Sequence, residues 1–242
     1  MSFGWRARIG FISPGTSGVH TSSLEMEMIA PEGVLFINKF LDGPKSLSLE
    51  HLVEMLPQVE PAARSIAKNA NVDLILMGGA PLVLANGATK LIRMIEDAAR
   101  IPATTNITGM VNGLRRLDMH KLVVLAPYYG EHLVDMVRDF LEGEGFEIVS
   151  MVGGAGVEFG KHKELSQYQT YRAAKRAFLD APAADGLVIV GGGAPLHEII
   201  DILEVDIGKP VIANNFASLW NALDMANVRQ PISGYGTLLT LL

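Results

Sequence analysis

Two copies of one pentapeptide offer the clearest chemistry in this chain. Gly78-Gly79-Ala80-Pro81-Leu82 and Gly192-Gly193-Ala194-Pro195-Leu196 are identical, and each follows an apolar, strand-like run. A strand that ends in glycines can bring bare backbone amides against a ligand, because no Cβ stands in the way. A helix expected directly after each loop adds the unpaired N–H groups of its first turn. Facing each other, two such loops would make a two-sided anion cradle, and a carboxylate suits it better than a polyphosphate. Neither loop has the spacing of a dinucleotide or ATP motif. A tight strand-to-helix turn explains one glycine pair equally well. Two in matching surroundings are harder to explain that way.

The acid and base must be sought outside the thiols, because the chain has no cysteine. Disulfides, thiolate metal sites and thiol nucleophiles are therefore excluded. Of six histidines, His51 and His132 fall on helical patterns, His120 enters a strand and His162 lies in a Lys-rich loop. His20 and His197 are the candidates. His20 sits in a hydroxyl-rich loop, Ser13 to Ser23. His197 follows the second glycine loop, at the expected start of a helix, where an ordinary cap residue is an equal reading. Glu25 and Glu27 read as a solvated helix face. Asn106 and Asn214-Asn215 end strands and could contact a substrate; helix capping explains them as well. No HExxH, HxH or acidic cluster suggests a metal.

Positioning these residues requires alternating strands and helices. Strands are expected at 7–13, 33–39, 72–77, 102–105, 121–126, 146–151, 187–190 and 210–213. Helices are expected at 88–99, 107–117, 131–142, 165–179, 196–203 and 216–225. A further helical pattern over 47–69 should be kinked or split by Pro57 and Pro61. Near-continuous apolar runs such as Val72–Met77 suit strands buried on both faces of a parallel sheet. Alternation of this kind implies right-handed βαβ units and an α/β fold. Each pentapeptide is followed by a helix and then a Pro-led strand ending in Asn, Pro102 to Asn106 and Pro210 to Asn214. The chain thus reads as two related halves.

The composition narrows the partners. The chain has 242 residues, 49% hydrophobic and 19% charged, with a net charge of −6. No basic stripe points to nucleic acid. No apolar run reaches the ~18–20 residues that span a bilayer. The apolar stretch after Arg6 and Arg8 breaks at Ser13-Pro14-Gly15, too short for a signal peptide, so a cytoplasmic location is expected. The surface composition permits a homo-oligomer.

These segments resemble the aspartate/glutamate racemase superfamily, in the branch of arylmalonate decarboxylase and maleate cis-trans isomerase. The resemblance runs through Thr108–Arg115, Leu125–Tyr129, Leu187–Gly193, Lys209–Val211, Phe216–Trp220 and Gly234–Gly236, in that order, across nearly the whole chain. It implies two Rossmann-like parallel-sheet halves related by pseudo-twofold symmetry, with the active site in the cleft between them. Residues 1–108 plus 216–242 form one half on this reading, and 109–215 the other. It also implies cofactor-free chemistry beside a carboxylate. Family members use one or two cysteines. Gly78 falls at the first cysteine position, and Gly191 falls at the second, or Gly192 with the register moved by one. Gly79 and Ala80 replace a Thr-Ser pair. Tyr129 matches the family tyrosine, with Tyr128 as the neighbouring alternative.

The expected substrate is accordingly a small carboxylic acid, with no cofactor. Tyr129, His20 and His197 are the catalytic candidates. Ser13, Pro14, Gly78, Gly79, Ala80, Gly191, Gly192, Gly193 and Asn106 are the binding candidates. A lyase acting through an enediolate, an isomerase or racemase with non-thiol bases, and a carboxylate-binding protein without activity all remain open on the sequence.

Overall fold

The computed structural model describes residues 3–15, 21–154 and 165–242. Among them, eight strands form two four-stranded sheets with every pairing parallel. The first holds β1 (Ala7–Pro14), β2 (Val34–Leu41), β3 (Leu74–Met77) and β4 (Ala103–Thr105), in the order β2-β1-β3-β4. The second holds β5 (Lys121–Ala126), β6 (Glu147–Gly153), β7 (Gly186–Ile189) and β8 (Val211–Ala213), in the order β6-β5-β7-β8. The two orders are the same pattern, as the internal repeat requires. Strands β3 and β7 are buried along their whole length. That burial is why their sequences are apolar without alternation.

The helices follow the expected rhythm with three differences. The 47–69 pattern is split, not merely bent: α2 (Leu49–Glu54), a 3-10 turn (Leu56–Gln58) and α3 (Val59–Asn69). Pro57 lies in the turn, whereas Pro61 sits in the first turn of α3, where its missing N–H costs no bond. A helix stands where a loop was expected, α4 (Ala80–Asn86), parted from α5 (Ala88–Ala99) by Gly87. The helix after the second pentapeptide starts late. Its bounds are Ile200–Ile207, so residues 196–199 form a turn instead. The numbering is completed by α1 (Thr21–Ile29), α6 (Asn106–Arg116), α7 (Glu131–Gly143), α8 (Gln167–Leu179), α9 (Ile200–Ile207) and α10 (Asn214–Met225).

The halves meet along α6 and α10, which leave β4 and β8 and each begin with an asparagine. Their fourth residues, Gly109 and Ala217, face each other so closely that a Cβ on Gly109 would lie 2.9 Å from the Ala217 carbonyl oxygen. Polar bonds lock the seam. Asn112 Nδ2 donates to Asn221 Oδ1 at 2.8 Å, and Asn221 Nδ2 donates to Thr104 Oγ1 at 2.9 Å. The C-terminal segment, assigned by sequence to the first half, also reaches α9: Thr237 donates to Glu204 through its amide and its hydroxyl, both at 2.8 Å. No helix among the described residues is long and apolar enough to cross a membrane.

Candidate active site

The carboxyl ends of the two sheets share one cleft, enclosing about 870 Å³ of empty space that is partly open to solvent. Both pentapeptides reach it, through Gly78–Leu82 from the first sheet and Gly192 and Gly193 from the second. Ligand sites beyond the carboxyl ends of parallel strands are the rule in such sheets.

The first loop is built locally. Gly78 continues the ladder, its N–H donating to Ile12 O at 2.7 Å. Gly79 has φ +82°, a left-handed conformation that glycine adopts without strain, and α4 begins at the next residue. The amides of Gly79, Ala80 and Leu82 take no acceptor among the described residues. The tip of β1 fills the space behind. A Cβ at Gly78 would come within 2.7 Å of the Phe11 ring, and one at Gly79 within 2.5 Å of Pro14. Ser13 and Pro14 line the cleft beside them.

The second loop is displaced by two residues. Gly78 directly follows the last residue of β3, Met77, whereas Gly192 lies three positions after the last residue of β7, Ile189. Two of its amides, those of Gly193 and Leu196, are engaged within the protein. Gly193 N donates to the Tyr128 hydroxyl at 2.8 Å. The amides of Leu196 and His197 both donate to Glu25 Oε1, the latter at 3.0 Å. Gly192 O accepts from Ser22 Oγ at 2.7 Å. The two-sided amide cradle expected from the sequence is therefore uneven: the amides of Gly79, Ala80 and Leu82 are open on the first side, whereas on the second those of Gly193 and Leu196 are engaged and those of Gly192 and Ala194 take no acceptor among the described residues.

Glu25 is the hub of that arrangement. It is buried at 2% exposure, which overturns its reading as part of a solvated face. Besides the two amides, Oε1 meets His197 Nδ1 at 3.1 Å, and Oε2 accepts from Asn215 Nδ2 at 2.8 Å. Glu27 is exposed, bonded to Asn38. A sequence signal for Glu25 does exist. Ser22, Glu25 and Ile29 fall on one helical stripe with Met26, so the glutamate shares the face that α1 buries.

Of the catalytic candidates, Tyr129 lines the cleft and Tyr128 does too. Their rings meet edge to face, with centroids 5.0 Å apart. Burial pushes the Tyr128 phenol up to about 12, against the lowering effect of the Gly193 N–H and the Tyr129 hydroxyl. Burial likewise pushes Tyr129 well above the ordinary phenol range. Both therefore stay protonated near neutral pH and act as neutral hydrogen-bond donors rather than phenolate bases. His197 is not among the cleft-lining residues, and its ring is turned to Glu25. The helix expected to begin beside it starts at Ile200, so its helix-terminus placement is corrected. His20 and His162 lie outside the described residues.

The binding candidates Ser13, Pro14, Gly78, Gly79, Ala80, Gly192, Gly193 and Asn106 come together around the cleft. Gly191 does not line it; a Cβ there would collide with the Tyr128 hydroxyl. Asn106 is the first residue of α6, capped by Thr105, and its Oδ1 accepts from Ile107 N at 3.0 Å. Its counterpart Asn214 also lines the cleft, with a buried Oδ1 that has no partner among the described residues. The hydroxyls of Thr21, Ser22 and Ser23, from the hydroxyl-rich stretch the sequence singled out, also line the cleft, and Ser218, which sequence reasoning left out, joins them. No group of three or more potential metal ligands occurs among the described residues.

Two parallel α/β layers closing on one glycine-walled, phenol-lined cleft define a class of enzyme scaffold rather than one reaction. The chain belongs to the arylmalonate decarboxylase family, whose model matches residues 9–239. It is similar to arylmalonate decarboxylase of Bordetella bronchiseptica, 28% identical over 202 residues, covering 81% of this chain and 82% of that one. Among solved structures, a liganded double mutant of arylmalonate decarboxylase superposes with TM-score 0.86 at 24% identity, covering 96% of this chain and 98% of that one. Maleate isomerase from Pseudomonas putida gives 0.83 at 22%, covering 97% and 98%. A Nocardia farcinica maleate cis-trans isomerase mutant with a covalently bound succinylcysteine intermediate gives 0.86 at 24%, covering 97% and 98%.

Proposed function

We propose that this protein is a cofactor-independent decarboxylase of a malonic acid bearing an apolar substituent at C2. The observation that carries the reading is the mixed lining of the cleft. It holds the open amides of Gly79 and Ala80 together with Ser13 and Asn106. Met26, Pro44, Leu47 and Leu52 supply an apolar wall. One carboxylate fits the amide side, where neutral donors stabilise the extra charge that collects on its oxygens as an enediolate forms. The other, set against apolar side chains, is poorly solvated as an anion and leaves as neutral CO2. The C2 substituent fills the remaining apolar space.

The isomerase alternatives gain no support from the site. The isomerase relative with a succinylcysteine intermediate forms its bond through a cysteine, and this chain has none. Two-base racemisation needs a proton carrier on each face of the carbon. Here the space at Gly78 is filled by the Phe11 ring.

The test is CO2 release from phenylmalonate, alkylmalonates, malonate and maleate. Substituted malonates should lose CO2, and maleate should not isomerise. Ser13→Ala should lower kcat about 100-fold, as removal of one oxyanion donor does. Binding of the diacids without any CO2 release would leave the carboxylate-binding protein as the correct reading.

A further inference from the structure

Resting on the decarboxylase reading, we infer that Tyr128 is the catalytic residue that delivers the proton to C2, in the place a side chain at residue 191 would otherwise take. A cleft that produces a carbanion needs a proton donor within reach of it. Among the described residues that line the cleft, only Tyr128 and Tyr129 carry a side chain that titrates below the range of an aliphatic hydroxyl. Geometry separates the two. The Tyr128 hydroxyl stands so close over Gly191 that a Cβ there would collide with it, so glycine at 191 is what admits the phenol. The Gly193 N–H donates to that oxygen at 2.8 Å. The Tyr129 hydroxyl lies against the same group. With the Gly193 amide aimed at its oxygen, Tyr128 contributes its own O–H as donor, and that amide bond strengthens as negative charge appears there. Tyr129 is then a positioning residue, which steadies the phenolate without giving up its proton to carbon. The titratable groups facing Tyr128 among the described residues are Tyr129 and the Glu25 carboxylate, and the negative charge of Glu25 opposes ionisation.

The step balances as follows. The C2–carboxylate bond of the malonate dianion breaks, CO2 leaves, and the electron pair passes into the retained carboxylate as an enediolate. The Tyr128 O–H bond then breaks as a C2–H bond forms, giving the monocarboxylate and a phenolate. Water reprotonates the phenolate and leaves hydroxide, which takes up the CO2 as bicarbonate.

Delivery from Tyr128 alone makes the protonation one-sided, and this is what the experiment reads. With a 2-aryl-2-methylmalonate, the wild-type enzyme should form one enantiomer of the 2-arylpropionate in excess. Tyr128→Phe should lower kcat at least 100-fold, change KM less than threefold, and give near-racemic product, because the proton then comes from water. Tyr129→Phe should lower kcat less and keep the enantiomeric excess. Replacing Tyr128 with a ring-fluorinated tyrosine keeps its shape while making the phenol more acidic, and should move the alkaline limb of the rate profile to lower pH. Phenylacetate binding and thermal melting check that each variant is folded. A Tyr128→Phe enzyme with undiminished enantiomeric excess, or a fluorinated enzyme with an unmoved limb, overturns the role of Tyr128 alone. A wild-type enzyme that decarboxylates no malonate overturns the reaction itself, and this role with it.

Discussion

The loop after β3 and the loop after β7 carry the same five residues, yet different forces hold them. The first is fixed by its own backbone: a left-handed Gly79, a helix that starts one residue later, and the Pro14 ring against its back. The second is fixed by side chains from elsewhere, with Glu25, Ser22, Asn215 and Tyr128 each taking a bond from or giving one to it. The outcome for function differs. Local anchoring leaves the Gly79, Ala80 and Leu82 amides open to a ligand; remote anchoring engages those of Gly193 and Leu196 and sets hydroxyls beside the loop. Identical sequence therefore does not confer an identical role, because the role depends on which groups the surroundings leave unpaired.

The largest break in that contrast should come from Glu25→Ala. It leaves the Leu196 and His197 amides and the Asn215 side chain without their acceptor. Leaving buried donors without an acceptor costs about 1–3 kcal/mol for each. Denaturant unfolding should show the loss. Hydrogen exchange should quicken at Leu196 and His197 while the amide of Val83 in α4 keeps its protection. Equal quickening in both loops would mean that they are not anchored independently.

Gly79→Ala should act on the opposite side and less strongly. The new Cβ meets Pro14 at 2.5 Å on a residue with φ +82°, which costs about 1–3 kcal/mol. Substrate KM should rise, with protection of Leu196 and His197 unchanged. A variant as stable as the wild type would mean that the backbone does not set this loop.

The smallest effect is the alkaline one. The Tyr128 phenol is raised from 10.0 to about 12, so the folded chain holds that proton where the unfolded chain has released it. Stability is complete below the unfolded value of 10 and falls as pH rises toward the folded value. Tyr128 opens onto the cleft, so a loss on the order of 1 kcal/mol near pH 11 is expected. Tyr128→Phe should flatten that part of the profile; an unchanged slope would assign the alkaline loss to other groups.

Much of the scaffold was legible because burial writes itself into strands directly. The apolar runs of β3, β5 and β7 were read in place, as were α5 and the helix after β5. Helix edges were less legible. Pro81 and Gly87 disguised α4 as a loop, although proline in the first turn is favourable to a helix. The delayed start of α9 has a remote cause, since residues 196 and 197 turn toward Glu25, 171 residues away from Leu196 along the chain. Such a partner leaves no local signature, and a glutamate between Leu24 and Met26 looks like any solvated helix residue. The glycine loops were singled out by their repetition and Asn106 by its place at a strand end, whereas the tyrosine pair came from the family resemblance; Gly78, Gly79, Gly192, Gly193, Ser13, Asn106 and both tyrosines line the cleft. The displacement of the second pentapeptide was not found, since it depends on where β7 ends.

That two-residue displacement bears on ancestry. Aligning the halves by strand ends pairs Gly78 with Val190 and Gly79 with Gly191, so the twin pentapeptides lie out of phase. A duplicated gene that merely drifted would keep shared letters opposite one another. Here either extra residues entered ahead of the second copy or the two spellings converged, and in both cases the visible repeat is a poor guide to which residues are counterparts. Asn106 and Asn214, each opening its helix at the seam, are the better pair from which to trace how the two halves diverged.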